Sequence, residues 1–271
     1  MGGPELCGAE ATVVLLHGQP GTAADWSAVA EDLASDYQVV VPDRLGYGRT
    51  GGRAAGFSAN ALAVARLLGR LGTGRALVVG HSWAGGVALA LALDFPDRVA
   101  GLGLVASVAP GEPLSRVDRL LAKPAVGTAL AAAALTAAEP LLSSRPALAV
   151  AERRSSSRRE ALTPLASAWH RPATWNSFAI EQRALLRELP LLGPRLPTLQ
   201  LPTLVLVGTS DRVVGTAAGN RLAAAISGAS LEFVPGGGHL LPQLEPEVVA
   251  EALRRLACRA LAGQAPTAGA G

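Results

Sequence analysis

The chain has 271 residues, 49% hydrophobic and 17% charged, which suffices for a large buried core and excludes a disordered chain. A formal charge of +3 is smaller than the clustered excess that a nucleic-acid binder usually shows. The two cysteines, Cys7 and Cys258, match no metal or redox spacing and fit a reducing compartment.

Residues 12–16 are a short apolar run ending at His17-Gly18, the pattern of a buried strand. Gln19-Pro20-Gly21 breaks the chain, and residues 23–35 predict a helix with Trp26, Val29, Ala30 and Leu33 on one face. A second strand at 37–41 closes on Pro42-Asp43, and a glycine-rich loop covers 44–56. Ser58 is the expected N-cap of a helix over 59–71, which Gly72 stops. A third strand at 75–79 runs into Gly80-His81-Ser82, a helix follows over 83–95, and a fourth strand spans 99–106. Strand alternating with helix predicts a parallel sheet covered on both faces.

The rhythm stops at Pro110. Residues 108–196 hold Ala-rich, Arg-rich and Pro-punctuated segments without a convincing strand, and carry 12 basic against 7 acidic side chains. The run Arg153, Arg154, Arg158, Arg159 reads as a solvated helix face. The apolar stretch 124–138 is shorter than the ~20 residues of a membrane span and is taken as a buried or half-buried helix. No signal-peptide pattern opens the chain, so a cytoplasmic enzyme without membrane contact is expected. The rhythm resumes with a strand at 203–207, a helix near 217–226, a strand at 231–234 and a helix over 245–261. The expected architecture is a mostly parallel, doubly wound α/β sheet of about six strands. Its core comprises 1–107 and 197–262, with a helical cap over 108–196 and a disordered tail over 263–271.

The strongest chemical signal is Gly80-His81-Ser82-Trp83-Ala84-Gly85-Gly86. A strand must turn sharply into a helix with a serine at the apex, which demands small neighbours and lifts the hydroxyl off the sheet. The usual pattern is G-x-S-x-G, and Ala84, the smallest substitute, replaces the second glycine. The new helix N-terminus points free N–H groups at the reacting centre.

The chain resembles the α/β-hydrolase superfamily, particularly its capped members related to small esterases, epoxide hydrolases and haloalkane dehalogenases. The resemblance rests on five blocks in the family order: His17 to Gly21, Pro42 to Thr50, the elbow, Leu206 to Asp211, and Gly238-His239. It implies a triad of Ser82 as nucleophile, His239 as its base and Asp211 as the acid that orients the imidazole. It assigns the oxyanion donors to the backbone N–H groups of Gln19 and Trp83, and a cis Gln19–Pro20 bond is expected to help aim the former. Glu112 and Asp118 are rival acids, because some relatives place theirs after the earlier strand. Asp43 is expected to tie its loop together, and His17 and His81 to be structural. Trp169, His170, Trp175 and Phe178 form an aromatic cluster that lines the substrate pocket or packs cap against core. Relatives carry two strands ahead of the His-Gly strand, whereas only 16 residues precede His17. Either the sheet is trimmed, leaving an edge that a homo-oligomer would cover, or the chain starts late.

The expected reaction is hydrolysis of a small carboxylic ester, lactone or thioester through an acyl-enzyme on Ser82, with a small-molecule substrate and no metal, cofactor or nucleic acid. Halide and epoxide chemistry needs a carboxylate at the elbow, where Ser82 stands. Carbon–carbon bond hydrolysis and aminopeptidase activity on the same triad stay open. So does a non-catalytic binding protein on this fold.

Overall fold

The computed structural model describes residues 11–111, 115–142, 169 and 171–261. Cys7, Glu112, His170, the Arg153–Arg159 run and the 263–271 tail lie outside the described residues. Six strands form one parallel sheet in the order β2-β1-β3-β4-β5-β6, namely β1 (Thr12–Leu16), β2 (Gln38–Val40), β3 (Ala76–His81), β4 (Val99–Val105), β5 (Thr203–Gly208) and β6 (Ser230–Val234). The expected sheet is the one observed.

Alternation along the strands explains why both faces need cover. Val14 and Leu16, Val78, and Val205 and Val207 enter one apolar core under α2 (Phe57–Arg70), α3 (Ala84–Asp94) and α6 (Pro172–Leu192). Val13 and Leu15, Leu77 and Val79, and Leu204 and Leu206 enter the other, under α1 (Ser27–Leu33) and α9 (Pro246–Leu261). The helices α4 (Arg116–Leu121) and α5 (Val126–Leu142) follow β4, α7 (Thr216–Ala225) joins β5 to β6, and the short α8 (Leu241–Leu244) precedes α9. Among the described residues the stretch between β4 and β5 contributes no strand. No helix among them is long and apolar enough to cross a membrane.

Two helix boundaries differ from expectation. The first predicted helix splits into a 3-10 turn, Ala23–Trp26, and α1, with Asp25 completing a capping box on Thr22. Ser58 does not cap α2: the helix starts at Phe57 after Gly56. Phe57 is fully buried and packs on Trp83 with ring centroids 4.4 Å apart, which draws it into the first turn. The Ser58 N–H instead donates to Glu188 Oε2 of α6 at 3.0 Å. The Glu188 carboxylate packs directly over Gly56, so a side chain there would have to displace it.

β1 leads to β2 on one side and β3 lies on the other, so the direction in which strands are added across the sheet reverses between β1 and β3. In open parallel sheets the crevice at such a switch, beyond the carboxyl ends of the strands, is where ligands bind. Gly18 and Gln19 follow β1, Ser82 follows β3, Asp211 follows β5 and His239 follows β6.

Candidate active site

Ser82 sits at the apex of the β3–α3 turn with φ 55, a left-handed conformation that a non-glycine residue adopts only under constraint. The constraint is steric. A Cβ on Gly80 would lie 2.3 Å from the Ala84 carbonyl oxygen, and one on Gly85 would lie 1.7 Å from Ser107 Oγ. Ala84 itself is fully buried, so its methyl group is accommodated where the usual pattern has glycine.

The structure brings Ser82, His239 and Asp211 into one line. Ser82 Oγ is 2.9 Å from His239 Nε2, and His239 Nδ1 is 3.0 Å from Asp211 Oδ2. Asp211 Oδ1 accepts from the Val213 and Val214 N–H groups at 2.8 and 3.1 Å. Burial raises the Asp211 carboxyl, but the His239 hydrogen bond, the His239 charge and the two backbone donors outweigh it and hold the group below its ordinary value. An ionised Asp211 fixes the proton on Nδ1, leaving Nε2 to accept from the serine hydroxyl.

The rival acid Asp118 is turned elsewhere, closing a capping box with Ser115 at the start of α4. The Gln19–Pro20 bond is cis, and the backbone N–H groups of Gln19 and Trp83 form no backbone hydrogen bond among the described residues. Asp43 accepts from the Ala23 and Arg49 N–H groups, both at 2.8 Å, and its carbonyl accepts from Thr50 Oγ1.

A buried ionic cluster fastens this loop region to α6. Arg44 pairs with Glu181 through Nη1, donates through Nε to the His17 carbonyl and through Nη2 to the Gly18 carbonyl, both at 2.8 Å, and lies over the Trp83 ring at 4.5 Å. Tyr47 Oη donates to Glu181 Oε2 at 2.7 Å, and Trp83 Nε1 donates to the Glu181 carbonyl. Burial raises the Glu181 carboxyl, while Arg44 and Tyr47 pull it back. His17 Nε2 accepts from the Arg44 N–H at 2.9 Å, and burial and then Arg44 drive this ring far toward the neutral form.

The triad opens into a cavity of about 620 Å³. Trp169 and Phe178 are on its wall; Trp175 is not, and its indole N–H instead donates to the Trp169 carbonyl at 2.6 Å. Trp175 therefore tethers the backbone of a wall residue, Trp169, and does not itself line the cavity. Sequence reasoning missed Gln182, Leu185 and Leu189, which follow Phe178 along one face of α6 and line the cavity. Their helical spacing was the available signal. It also missed Asp25, a wall residue 2% exposed.

Burial pushes the Asp25 carboxyl from 3.8 up to about 7, against the Thr22 N–H and Arg44, which lower it. The folded protein thus holds a proton that the unfolded chain has released between those two values. The raised value stabilises the fold at low pH, and this contribution is lost as pH rises to about 7. Asp25→Asn cannot titrate, so it is expected to gain on wild type by about 2–3 kcal/mol between pH 5 and pH 8. Urea unfolding at both values measures this, and a difference independent of pH would contradict it.

A sequence model described as the Alpha/beta hydrolase family matches residues 13–252. The chain is 31% identical over 242 residues to the 2-hydroxy-6-oxononadienedioate/2-hydroxy-6-oxononatrienedioate hydrolase 2 of Pseudomonas putida, covering 86% of this chain and 82% of that protein. A stretch of 110 residues is 41% identical to the dihydrolipoyllysine-residue acetyltransferase component of the acetoin cleaving system of Cupriavidus necator, covering 40% of this chain but 29% of that relative. Among solved structures, a thermophilic esterase from Thermogutta terrifontis superimposes with a TM-score of 0.72 at 28% identity, covering 93% of this chain and 90% of that one.

Proposed function

The chain belongs to the alpha/beta hydrolase family, and from that premise we propose that it is a serine hydrolase of small carboxylic esters, lactones or thioesters. The observation that carries the proposal is the unbroken relay from Ser82 Oγ through His239 to Asp211, with links of 2.9 and 3.0 Å, opening into the cavity. Residues 108–196 are assigned as the cap, of which α6 supplies the cavity wall.

In this mechanism Ser82 Oγ attacks the substrate carbonyl while His239 Nε2 takes its proton. The negative charge on the carbonyl oxygen is held by the Gln19 and Trp83 N–H groups. The carbonyl re-forms, the bond to the leaving alcohol or thiol breaks, and His239 returns the proton to it. Water then gives its proton to His239 and attacks the acyl-enzyme, releasing the acid and restoring Ser82.

Similarity to the Pseudomonas putida protein supports a second reading, carbon–carbon bond hydrolysis on the same triad. The cavity wall, however, carries Asp25 and Asp118 and, among the described residues, no Arg or Lys to hold a second carboxylate, which ranks the ester reading first. The test is rapid mixing of the protein with p-nitrophenyl butanoate. The expected result is a burst of p-nitrophenol of about one equivalent or steady turnover that scales with enzyme. No release from acetate through octanoate esters would overturn the reading.

A further inference from the structure

The two residues that carry the oxyanion donors come from different loops, after β1 and after β3, yet their side chains reach the same helix. Gln19 Nε2 donates to the Phe178 carbonyl at 2.8 Å, and Trp83 Nε1 donates to the Glu181 carbonyl at 3.2 Å. Gln182 Nε2 faces Gln19 Oε1 at 3.4 Å. Phe178, Glu181 and Gln182 lie within about one turn of α6, where positions three and four apart share a face. A carbonyl inside a helix already serves the N–H four residues on and keeps one lone pair for a second donor. The helix therefore loses nothing of its own if either side chain is removed, and what the two bonds fix is the loop end.

The same turn also holds the Gln19 N–H from its other side. The Gly18 carbonyl and the Gln19 N–H belong to one planar peptide unit and point in opposite directions. Arg44 Nη2 donates to that carbonyl at 2.8 Å, and Arg44 is paired with Glu181. The Arg44 guanidinium also lies over the Trp83 ring at 4.5 Å. The peptide carrying the first donor is thus tied to α6 at both ends, and the residue carrying the second is tied to it through the Glu181 carbonyl. Phe178 and Gln182 line the cavity together with Gln19, Ser82 and Trp83.

We propose that the cap helix α6 is part of the oxyanion hole: the Gln19 amide and the Trp83 indole are positioning groups through which one turn of α6 holds both donor N–H groups in place. The proposal rests on the serine-hydrolase reading, in which those N–H groups meet the charge that develops on the substrate carbonyl oxygen. Such donors act by being set before the charge appears, and a displacement of about 1 Å can cost about 10²-fold in rate. Loosening an anchor lowers binding of the transition state and spares binding of an uncharged carbonyl.

The test uses Gln19→Met, which keeps the side-chain length and removes its donor and acceptor. Trp83→Phe keeps an aromatic ring beside Phe57 and removes the indole N–H. Each variant is compared with wild type in kcat/KM for p-nitrophenyl butanoate and in the inhibition constants of 1,1,1-trifluorooctan-2-one and octan-2-one. Ser82 Oγ adds to the carbonyl carbon of the fluorinated ketone, its proton passes to His239 Nε2, and the carbonyl oxygen becomes an anion in the hole. The plain ketone binds uncharged. In each variant kcat/KM is expected to fall about 10- to 100-fold, and the trifluoroketone constant to rise by the same factor. The octan-2-one constant, the fraction of sites titrated by a fluorophosphonate and the urea midpoint of Gln19→Met are expected to stay near wild type. Trp83 is 1% exposed, so if Trp83→Phe fails to fold, Gln19→Met alone decides. A merely structural role would lower the midpoint or the titrated fraction, or weaken both ketones alike. That pattern, or kcat/KM of Gln19→Met within about threefold of wild type, overturns the proposal and leaves the serine-hydrolase reading standing. A wild-type protein that hydrolyses no ester from acetate through octanoate overturns that reading, and the role of α6 with it.

Discussion

His239→Ala is expected to lower kcat for a short p-nitrophenyl ester by about four to six orders of magnitude while leaving the fold intact. The serine hydroxyl is a poor nucleophile at neutral pH and, among the described residues, has His239 Nε2 as its base within reach, at 2.9 Å. His239 contacts the fold lightly: Asp211 holds its ring, and its carbonyl accepts from His81. Asp211→Asn is expected to cost about 10⁴ by favouring the wrong imidazole tautomer. The effects should not add in the double variant, because the groups act as one unit. Steady-state kinetics on folded variants, checked by circular dichroism, measure this. A His239→Ala protein within tenfold of wild type would remove His239 from the mechanism.

The second large effect concerns Glu181, whose side chain is fully buried against Arg44. Glu181→Ala leaves the Arg44 guanidinium buried without its counter-charge and strips Tyr47 Oη of its acceptor. Breaking one side of a buried pair typically costs about 3–5 kcal/mol, a large part of a domain's stability. Glu181→Gln keeps the shape and one acceptor and should lose less. Replacing both partners, as in Arg44→Met with Glu181→Leu, should recover much of the stability, because apolar packing often matches a buried pair. It should not recover activity, since Arg44 also grips the His17 and Gly18 carbonyls beside the Gln19 N–H. Urea midpoints for the single and double variants, read with kcat, separate the two roles. A Glu181→Ala midpoint equal to wild type would contradict the account.

What the sequence made legible was what local pattern encodes. Runs such as 12–16 and 203–207 are apolar throughout because both faces of a parallel strand are buried. The Ser82 elbow was legible because its tight turn admits only small neighbours at Gly80 and Gly85. Contacts between distant segments left no such trace. Arg44 and Glu181 are 137 positions apart, and nothing in the periodicity of α6 marks one carboxylate on it as a partner. Ser58 looked like a cap in its own segment, but the burial of Phe57 and the carboxylate of Glu188 moved the helix start. Trp169 and Trp175 looked equivalent in sequence, yet one lines the cavity and the other tethers that residue's backbone.

The most direct test is reaction of the wild-type protein with a fluorophosphonate, followed by mass spectrometry of the labelled peptide. The relay from Asp211 to Ser82 predicts one adduct per chain, on Ser82, absent from Ser82→Ala and nearly absent from His239→Ala. A folded wild-type protein that takes no label, or takes it on another residue while Ser82 stays free, would contradict Ser82 as the activated nucleophile.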